Sequence, residues 1–186
     1  MARRAIWILL TLGACTGFHE VRPGVYRSPQ TSEDRLARRI EQNGIHSVLC
    51  LRGPSESSAS TARAALGTGI AFYHVPMSAT RLPSPATLLA LWDVATTAPR
   101  PLLVHCRAGV DRTGLASALV VLHDTGDLAA ARAQLAFVPY GHLAFSATGV
   151  LDSVLDRYGS VHAYLHESCG LDEQTLERVR RHLVRS

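Results

Sequence analysis

The sequence has little that would indicate a metal, a nucleic acid or a membrane-spanning chain. Its 186 residues include four cysteines, and none belongs to a Cys-x-x-Cys pair or to zinc-ribbon spacing, so a structural zinc is not expected. Aromatic residues make up 6% of the chain, and basic residues are scattered among acids, which argues against nucleic-acid binding. No apolar run approaches the roughly 20 residues that span a bilayer. No cofactor is expected either.

The composition indicates one globular domain with a mildly positive surface. An apolar content of 47% in 186 residues can supply one continuous core. The formal charge of +4 gives a modest positive field, which suits an anionic substrate. Strand-like runs alternate with helical segments, and several helices then follow in a row. This order predicts an α/β fold with a small, mostly parallel central sheet flanked by helices, and a helical C-terminal part.

The predicted elements are placed by apolar runs, by capping residues and by glycine and proline. Strands are expected at residues 25–27, 46–51, 70–75 and 101–105. Helices are expected at residues 32–43, 56–66, 85–98, 112–123 and 128–137. The helical C-terminal part is expected to continue at residues 143–158, 161–167 and 172–184.

The first 15 residues have the order of a secretory signal peptide. Two arginines in residues 1–4 precede an apolar run at 5–12, and small residues lead to Cys15. A cysteine after Leu-Gly-Ala also resembles a bacterial lipoprotein box, so residues 1–15 are expected to be a leader with Cys15 as a lipidation and membrane-attachment point. We therefore expect an exported, periplasmic or membrane-anchored protein, in which Cys50 and Cys169 could form a disulfide. The alternative is an N-terminal helix packed on the domain of a cytoplasmic protein.

The most informative stretch is a short loop between a predicted strand and a predicted helix. It runs from His105 to Gly114 with the sequence His-Cys-Arg-Ala-Gly-Val-Asp-Arg-Thr-Gly. A glycine-containing turn that opens a helix points backbone N–H groups inward, which forms a cradle for a tetrahedral oxyanion. A helix N-terminus and nearby cations favour the thiolate, so Cys106 is the expected nucleophile. Arg112 can grip two phosphate oxygens with its planar fork and stabilise the transition state.

Other residues of the loop take supporting roles in this interpretation. Thr113 can hydrogen-bond the sulfur or the attacking water, and His105 can support the loop from behind. Arg107 at the rim would favour polyanionic substrates, and Arg52 follows a strand at the same edge of the predicted sheet. The substrate-binding candidates are therefore His105, Arg107, Ala108, Gly109, Val110 and Arg52.

The pattern His-Cys-x5-Arg-Thr-Gly resembles the signature of the protein tyrosine and dual-specificity phosphatase superfamily. Residues 18–30, with Gly44-Ile45 and residues 48–52, are similar to bacterial exported dual-specificity-like phosphatases, so the resemblance covers about residues 18–126. It implies that residues 18–186 form a phosphatase domain that hydrolyses phosphate monoesters through a phosphocysteine intermediate. The implied substrates are phosphotyrosine, phosphoserine or phosphothreonine in a phosphorylated protein, or another small anionic phosphoester. Inositol phosphates or phosphoinositides are the alternative.

The sequence departs from that superfamily at the general acid. Such phosphatases usually carry an aspartate on a loop well before the cysteine, but residues 76–83 contain no carboxylate. Asp111 is the best replacement, because it lies in the loop itself and myotubularin-like phosphatases are similar in carrying Asp-Arg-Thr there. A structural pairing of Asp111 with an arginine is the alternative. Residues 140–142 are expected to form a turn with a capping histidine, with a place at the pocket as the alternative.

Two other classes of protein compete with this interpretation. Rhodanese-like sulfurtransferases also place a reactive cysteine between a strand and a helix, but their loop is usually shorter before the arginine. The second competitor is a phosphate-binding pseudophosphatase that keeps the cradle and has lost the acid. All loop residues needed for nucleophilic attack are present, which favours an active enzyme.

Overall fold

The computed structural model describes residues 17–53, 61, 65–78 and 83–142. Within them lies a five-stranded sheet with the strand order β1-β2-β5-β3-β4. The first strand pairs antiparallel with the second, and all other neighbours are parallel. The strands are β1 (His19–Arg22), β2 (Val25–Pro29), β3 (Ser47–Cys50), β4 (Ala71–His74) and β5 (Leu102–Cys106). The predicted α/β class with a small, mostly parallel sheet is confirmed.

The start of the second helix and the end of the first lie at residues that the sequence marks. Ser84 accepts a hydrogen bond from the backbone N–H of Thr87 at 3.2 Å and caps the second helix. Gly44 ends the first helix in the left-handed region, with φ at +57°. The helices whose two ends the structure describes are α1 (Glu33–Asn43), α2 (Pro85–Thr97), α3 (Asp111–Thr125) and α4 (Leu128–Ala133), followed by a single helical turn at Phe137–Tyr140.

Both faces of the central strand β5 are covered. Successive side chains of a strand point to opposite faces. Leu103 therefore packs with Leu36 and Ile40 of α1, whereas Cys106 packs on the other face with residues of α2 and α3. Every residue of β5 is buried, as expected of a strand between two helical layers. This arrangement turns the side chain of Cys106 toward α3.

Two elements differ from the sequence prediction. Strand β1 was not predicted, because an edge strand with one partner needs no apolar alternation, and its sequence is His-Glu-Val-Arg. Helix α4 ends at Ala133 rather than Phe137. The carbonyl of Gln134, which a continuing helix would use internally, accepts a hydrogen bond from Arg27 of β2 instead, and the turn that follows is interrupted at Val138, which precedes Pro139 and is extended with ψ at +127°.

Several predictions lie outside the described residues. These are the leader with Cys15, most of the helix at 56–66, Cys169 and the helices beyond residue 142. Among the helices that the structure describes, none has the length and apolar character needed to cross a bilayer.

Candidate active site

The phosphate loop, residues 106–112, joins the end of β5 to the first turn of α3. Gly109 has φ at +74°, a conformation that side chains with a Cβ rarely adopt. A Cβ there would lie 2.5 Å from the backbone nitrogen of Pro29 and 2.6 Å from the carbonyl carbon of Ser28. The N–H of Gln30 also donates to the carbonyl of Arg107 at 3.1 Å. The loop therefore lies directly against the end of β2, which only glycine permits at position 109.

Cys106 lies under this loop. The residue is 2% exposed, and its Sγ accepts a hydrogen bond from the backbone N–H of Gly109 at 3.3 Å. At least one amide of the loop is thus aimed at the sulfur, as the cradle geometry requires. An inward amide favours negative charge at this position.

Arg112 lies on the first turn of α3 and is 6% exposed. Its Nη1 donates to the carbonyls of Leu51 and Met77, at 3.3 and 3.2 Å. These carbonyls follow the carboxyl ends of β3 and β4, so the guanidinium is fixed at the edge of the sheet where β5 delivers Cys106. A guanidinium has five N–H donors, so Arg112 can bind more than these two carbonyls.

Arg27, which the sequence analysis did not single out, supports the loop from β2. The residue is fully buried, and its Nη2 donates to the carbonyls of Gly109 and Val110 at 2.9 and 3.0 Å. Its Nη1 donates to the carbonyl of Gln134 at 2.8 Å, and the ring of Tyr140 lies 3.7 Å from the guanidinium. A loop that turns its amides inward turns carbonyls outward, and Arg27 satisfies two of them.

The charge of Arg27 also matters for the site. Burial lowers the pKa of Arg27 to about 10, against raising contributions from Tyr140, Cys106 and Asp111. The guanidinium is therefore still charged at neutral pH. A buried positive charge behind the cradle favours an anion inside it.

Asp111 is the first residue of α3 and meets a histidine from a distant part of the chain. Its Oδ1 lies 2.9 Å from Nδ1 of His142. The imidazole of His142 thus contacts the phosphate loop, so a capping role within a local turn does not describe it fully. No local signal in the sequence pairs these two positions, which are 31 residues apart.

The neighbourhood of Cys106 includes a second thiol and Arg52. Cys50, at the end of β3, is buried with a free thiol. Burial raises the pKa of Cys50, Arg52 opposes that shift, and Cys106 and Arg112 are near enough to act on it in opposite directions. Arg52 therefore lies close to Cys50, and its role in binding substrate stays a prediction. Among the described residues, no group of three His, Cys, Asp or Glu side chains is arranged to hold a metal ion.

The remaining predicted residues divide into rim and support. Arg107 and Ala108 are exposed at the rim of the loop. His105 is 2% exposed and points to the face opposite Cys106, so it does not line the site, and its support of the loop from behind stays a prediction. The hydroxyl of Thr113 is buried and makes no hydrogen bond with any described residue, so the predicted bond to the sulfur is not formed; Gly109 occupies that role.

Comparison with protein families gives two matches. Residues 23–125, more than half of the chain, match a family described as the DSP-PTPase phosphatase of polymorphic toxin systems. Residues 143–185 match a family described as the tyrosine phosphatase family. The search of curated proteins found no match.

Solved structures of phosphatases are similar to this chain. The catalytic core of the PP-IP phosphatase Siw14 from S. cerevisiae is 26% identical, with a TM-score of 0.58 over 73% of this chain and 83% of that one. TpbA from P. aeruginosa is 20% identical over 91% of both chains, with a TM-score of 0.58. Tk-PTP is 18% identical, with a TM-score of 0.59 over 77% of this chain and 99% of that one. The last two similarities show the shared fold.

The family match and the phosphate loop agree on one class of enzyme. The matched family is one of phosphatases, which excludes a sulfurtransferase. The structure also has the strand, loop and helix in the order that the phosphatase signature requires. The chain therefore belongs to the DSP-PTPase phosphatase family and is a cysteine-dependent phosphatase.

Proposed function

We propose that Cys106 is the nucleophile of this phosphatase and that its substrate is a phosphorylated protein, with phosphotyrosine as the preferred residue. The observation that carries the proposal is the N–H of Gly109, which donates to Sγ of Cys106 at 3.3 Å within a loop that opens helix α3. A phosphate whose oxygens accept from such amides has its phosphorus directly above the sulfur.

The reaction has two displacements. The thiolate of Cys106 attacks phosphorus, and the bond to the leaving oxygen breaks to give phosphocysteine. Water then attacks that phosphorus, and the sulfur–phosphorus bond breaks to restore the thiolate and release phosphate. Arg112, fixed by two carbonyls at the sheet edge, stabilises the equatorial phosphate oxygens in both steps.

Asp111 is proposed as the group that protonates the leaving oxygen. It is the first residue of α3, directly before Arg112, and its side chain keeps 30% of its surface exposed. A partly exposed carboxyl beside the phosphate-binding residues can reach a leaving group, whereas residues 76–83 offer no carboxylate at all. In the second step the same carboxylate would take the proton from the attacking water.

The preference for phosphotyrosine rests on the leaving group and on a structural relative. A phenolate leaves with less proton transfer than an alkoxide, which suits a site without the usual acid loop. TpbA, whose fold this chain shares, has been solved in complex with phosphotyrosine; that complex has a TM-score of 0.55 over 92% of both chains. Both observations favour an aryl phosphate.

Inositol phosphates are the second candidate, supported by one feature of the rim. Arg107 is exposed directly after the nucleophile, where it could meet a second phosphate group of a polyanion. The PP-IP phosphatase Siw14 is 26% identical to this chain. If this candidate holds, Arg107→Gln should lower turnover of inositol hexakisphosphate while leaving p-nitrophenyl phosphate unaffected.

The test is a substrate panel with the full chain. The kcat/KM for a phosphotyrosyl peptide should be about tenfold or more above the values for a phosphoseryl peptide and for inositol hexakisphosphate. Cys106→Ser should hydrolyse none of them and still bind the phosphotyrosyl peptide, since the cradle amides remain. Turnover by Cys106→Ser at the parental rate would rule out the nucleophile, and binding without turnover in the parent would identify a pseudophosphatase.

A further inference from the structure

The imidazole of His142 is sealed against the phosphate loop. Its side chain is 1% exposed and its Nδ1 lies 2.9 Å from Oδ1 of Asp111, whose own side chain is 30% exposed. A side chain with so little surface cannot touch a substrate, whereas the carboxyl that it contacts can. Any part that His142 plays in the reaction therefore passes through Asp111.

The segment that carries His142 is fixed on the same side of the loop by contacts with Arg27. The carbonyl of Gln134 accepts from Arg27, and the ring of Tyr140 stacks on the same guanidinium. Gly141 then turns the chain with φ at +77°, and the N–H of His142 donates to the carbonyl of Ala136 at 3.3 Å. The position of the imidazole is thus set by several contacts besides the one with Asp111.

We propose that His142 is a positioning residue that donates from Nδ1 to Oδ1 of Asp111 and so directs the acid proton, carried on the other carboxyl oxygen, to the leaving group. The inference rests on the proposed role of Asp111 as general acid. As the phosphorus–oxygen bond breaks, the proton passes from the second carboxyl oxygen to the leaving oxygen. His142 keeps its own proton throughout and holds the rotamer in which this transfer is aligned.

The tests compare two substrates whose leaving groups differ in their need for a proton. The alkoxide of phosphoserine must be protonated as it leaves, whereas p-nitrophenolate can leave without a proton. His142→Leu should lower kcat for phosphoserine about tenfold more than kcat for p-nitrophenyl phosphate, with KM for both nearly unchanged. His142→Asn should stay within about threefold of the parent for both substrates, because its amide nitrogen can take the place of Nδ1.

The matched control is a second histidine–aspartate pair at the other end of α3. Nδ1 of His123 lies 2.7 Å from Oδ1 of Asp124, and this pair is away from the phosphate loop. His123→Leu removes a similar pair and should leave the ratio of the two kcat values as in the parent. Thermal unfolding of all variants shows whether His142→Leu is folded.

The variant Asp111→Asn separates failure of this inference from failure of the proposed acid. If Asp111→Asn leaves the two kcat values unchanged, the acid role of Asp111 fails and this inference fails with it. The second outcome is that Asp111→Asn lowers kcat for phosphoserine more than kcat for p-nitrophenyl phosphate, while His142→Leu lowers the two kcat values equally. In that case only the positioning role of His142 is overturned. In the double variant, the leaving-group effect of His142→Leu should disappear, because the proton that it directs is gone.

Discussion

Gly109 is the point of closest approach between the phosphate loop and the end of β2. The atoms that a Cβ would meet belong to the backbone of Ser28 and Pro29, so no side chain can move aside to accommodate it. The positive φ adds strain for any residue other than glycine. A single methyl group at this position therefore forces the loop away from β2 and displaces the amide that faces Cys106.

Gly109→Ala should accordingly lose activity much more than stability. We expect kcat/KM to fall about 100-fold or more, because displaced amides no longer meet the phosphate oxygens, with a loss of about 1–3 kcal/mol in the free energy of unfolding. Steady-state kinetics with p-nitrophenyl phosphate and urea unfolding measure the two effects.

Gly126→Ala is the matched control for that variant. Gly126 also has a positive φ, +67°, but a Cβ there would have no neighbour within 4 Å. Its substitution should cost about 1 kcal/mol of stability and leave kcat/KM intact. Equal activity losses in the two variants would mean that the contact with β2 does not shape the loop.

The residues of the loop could be predicted because their chemistry is local. Cys106, Gly109 and Arg112 stand in one short stretch whose spacing already indicates a phosphate cradle. Arg27 and His142 could not be predicted in the same way, since their partners lie 82 and 31 residues away. The one sequence signal for Arg27 is an arginine inside a strand, where a charged side chain is rare unless it is paired.

Strand β2 and the segment 134–142 meet on Arg27, and this contact determines where α4 stops. The carbonyl of Gln134, which a continuing helix would use internally, accepts from Arg27 instead. A Cβ at Gly114 of α3 would lie 2.8 Å from Cδ2 of Leu135 and 3.0 Å from the carbonyl oxygen of Gln134. The segment can therefore pack this closely on α3 because residue 114 is a glycine. The packing joins three elements around one guanidinium.

Arg27→Met tests this junction. The substitution leaves the carbonyls of Gly109, Val110 and Gln134 without their donor, so we expect the free energy of unfolding to fall by about 3–5 kcal/mol and activity to be largely lost. Arg27→Lys keeps the positive charge but loses the planar guanidinium, so its free energy of unfolding and its activity should lie between those of the parent and of Arg27→Met.

Arg38→Met is the control for the loss of a positive charge. Arg38 is exposed on α1, and its substitution should change stability by less than about 0.5 kcal/mol. The measurements are urea unfolding and kcat/KM. A stability loss for Arg27→Met as small as that for Arg38→Met would contradict the supporting role of Arg27.

Element boundaries could be predicted where short-range signals fix them and not where distant contacts do. Ser84 with Pro85 predicted the start of α2, and the apolar runs predicted β3, β4 and β5. The edge strand β1 depends on pairing with β2, and the end of α4 depends on Arg27. Both are consequences of tertiary contacts that periodicity does not report.

The molecule as a whole buries titratable groups that make its stability sensitive to acid. Asp124, near the end of α3, is bound by Arg22 of β1 and by Arg100, which precedes β5. Burial opposes its ionisation, but the hydrogen bonds from Arg100 and His123 outweigh that effect and lower the pKa of Asp124. This cluster therefore stabilises the fold above the ordinary aspartate range and is lost only in stronger acid.

His105 acts in a higher and separate pH range. It is buried on the face of β5 that packs against α1, and burial lowers its pKa from 6.5 to about 4, against a raising interaction with the backbone of Cys106. Between these two values the unfolded chain binds a proton that the folded chain does not, so the free energy of unfolding rises with pH across this range. Below pH 4 the fold should have lost about 3 kcal/mol of the stability that it has above pH 6.5.

Urea unfolding between pH 4 and pH 7 measures this dependence. His105→Gln removes the titrating group, so its free energy of unfolding should vary less with pH than that of the parent, by about 3 kcal/mol over the range. His46→Gln, at an exposed histidine just before β3, should keep the parental pH dependence. If His105→Gln followed the parental curve, the acid sensitivity would have to come from other groups, and His105 would not be a histidine that folding keeps neutral.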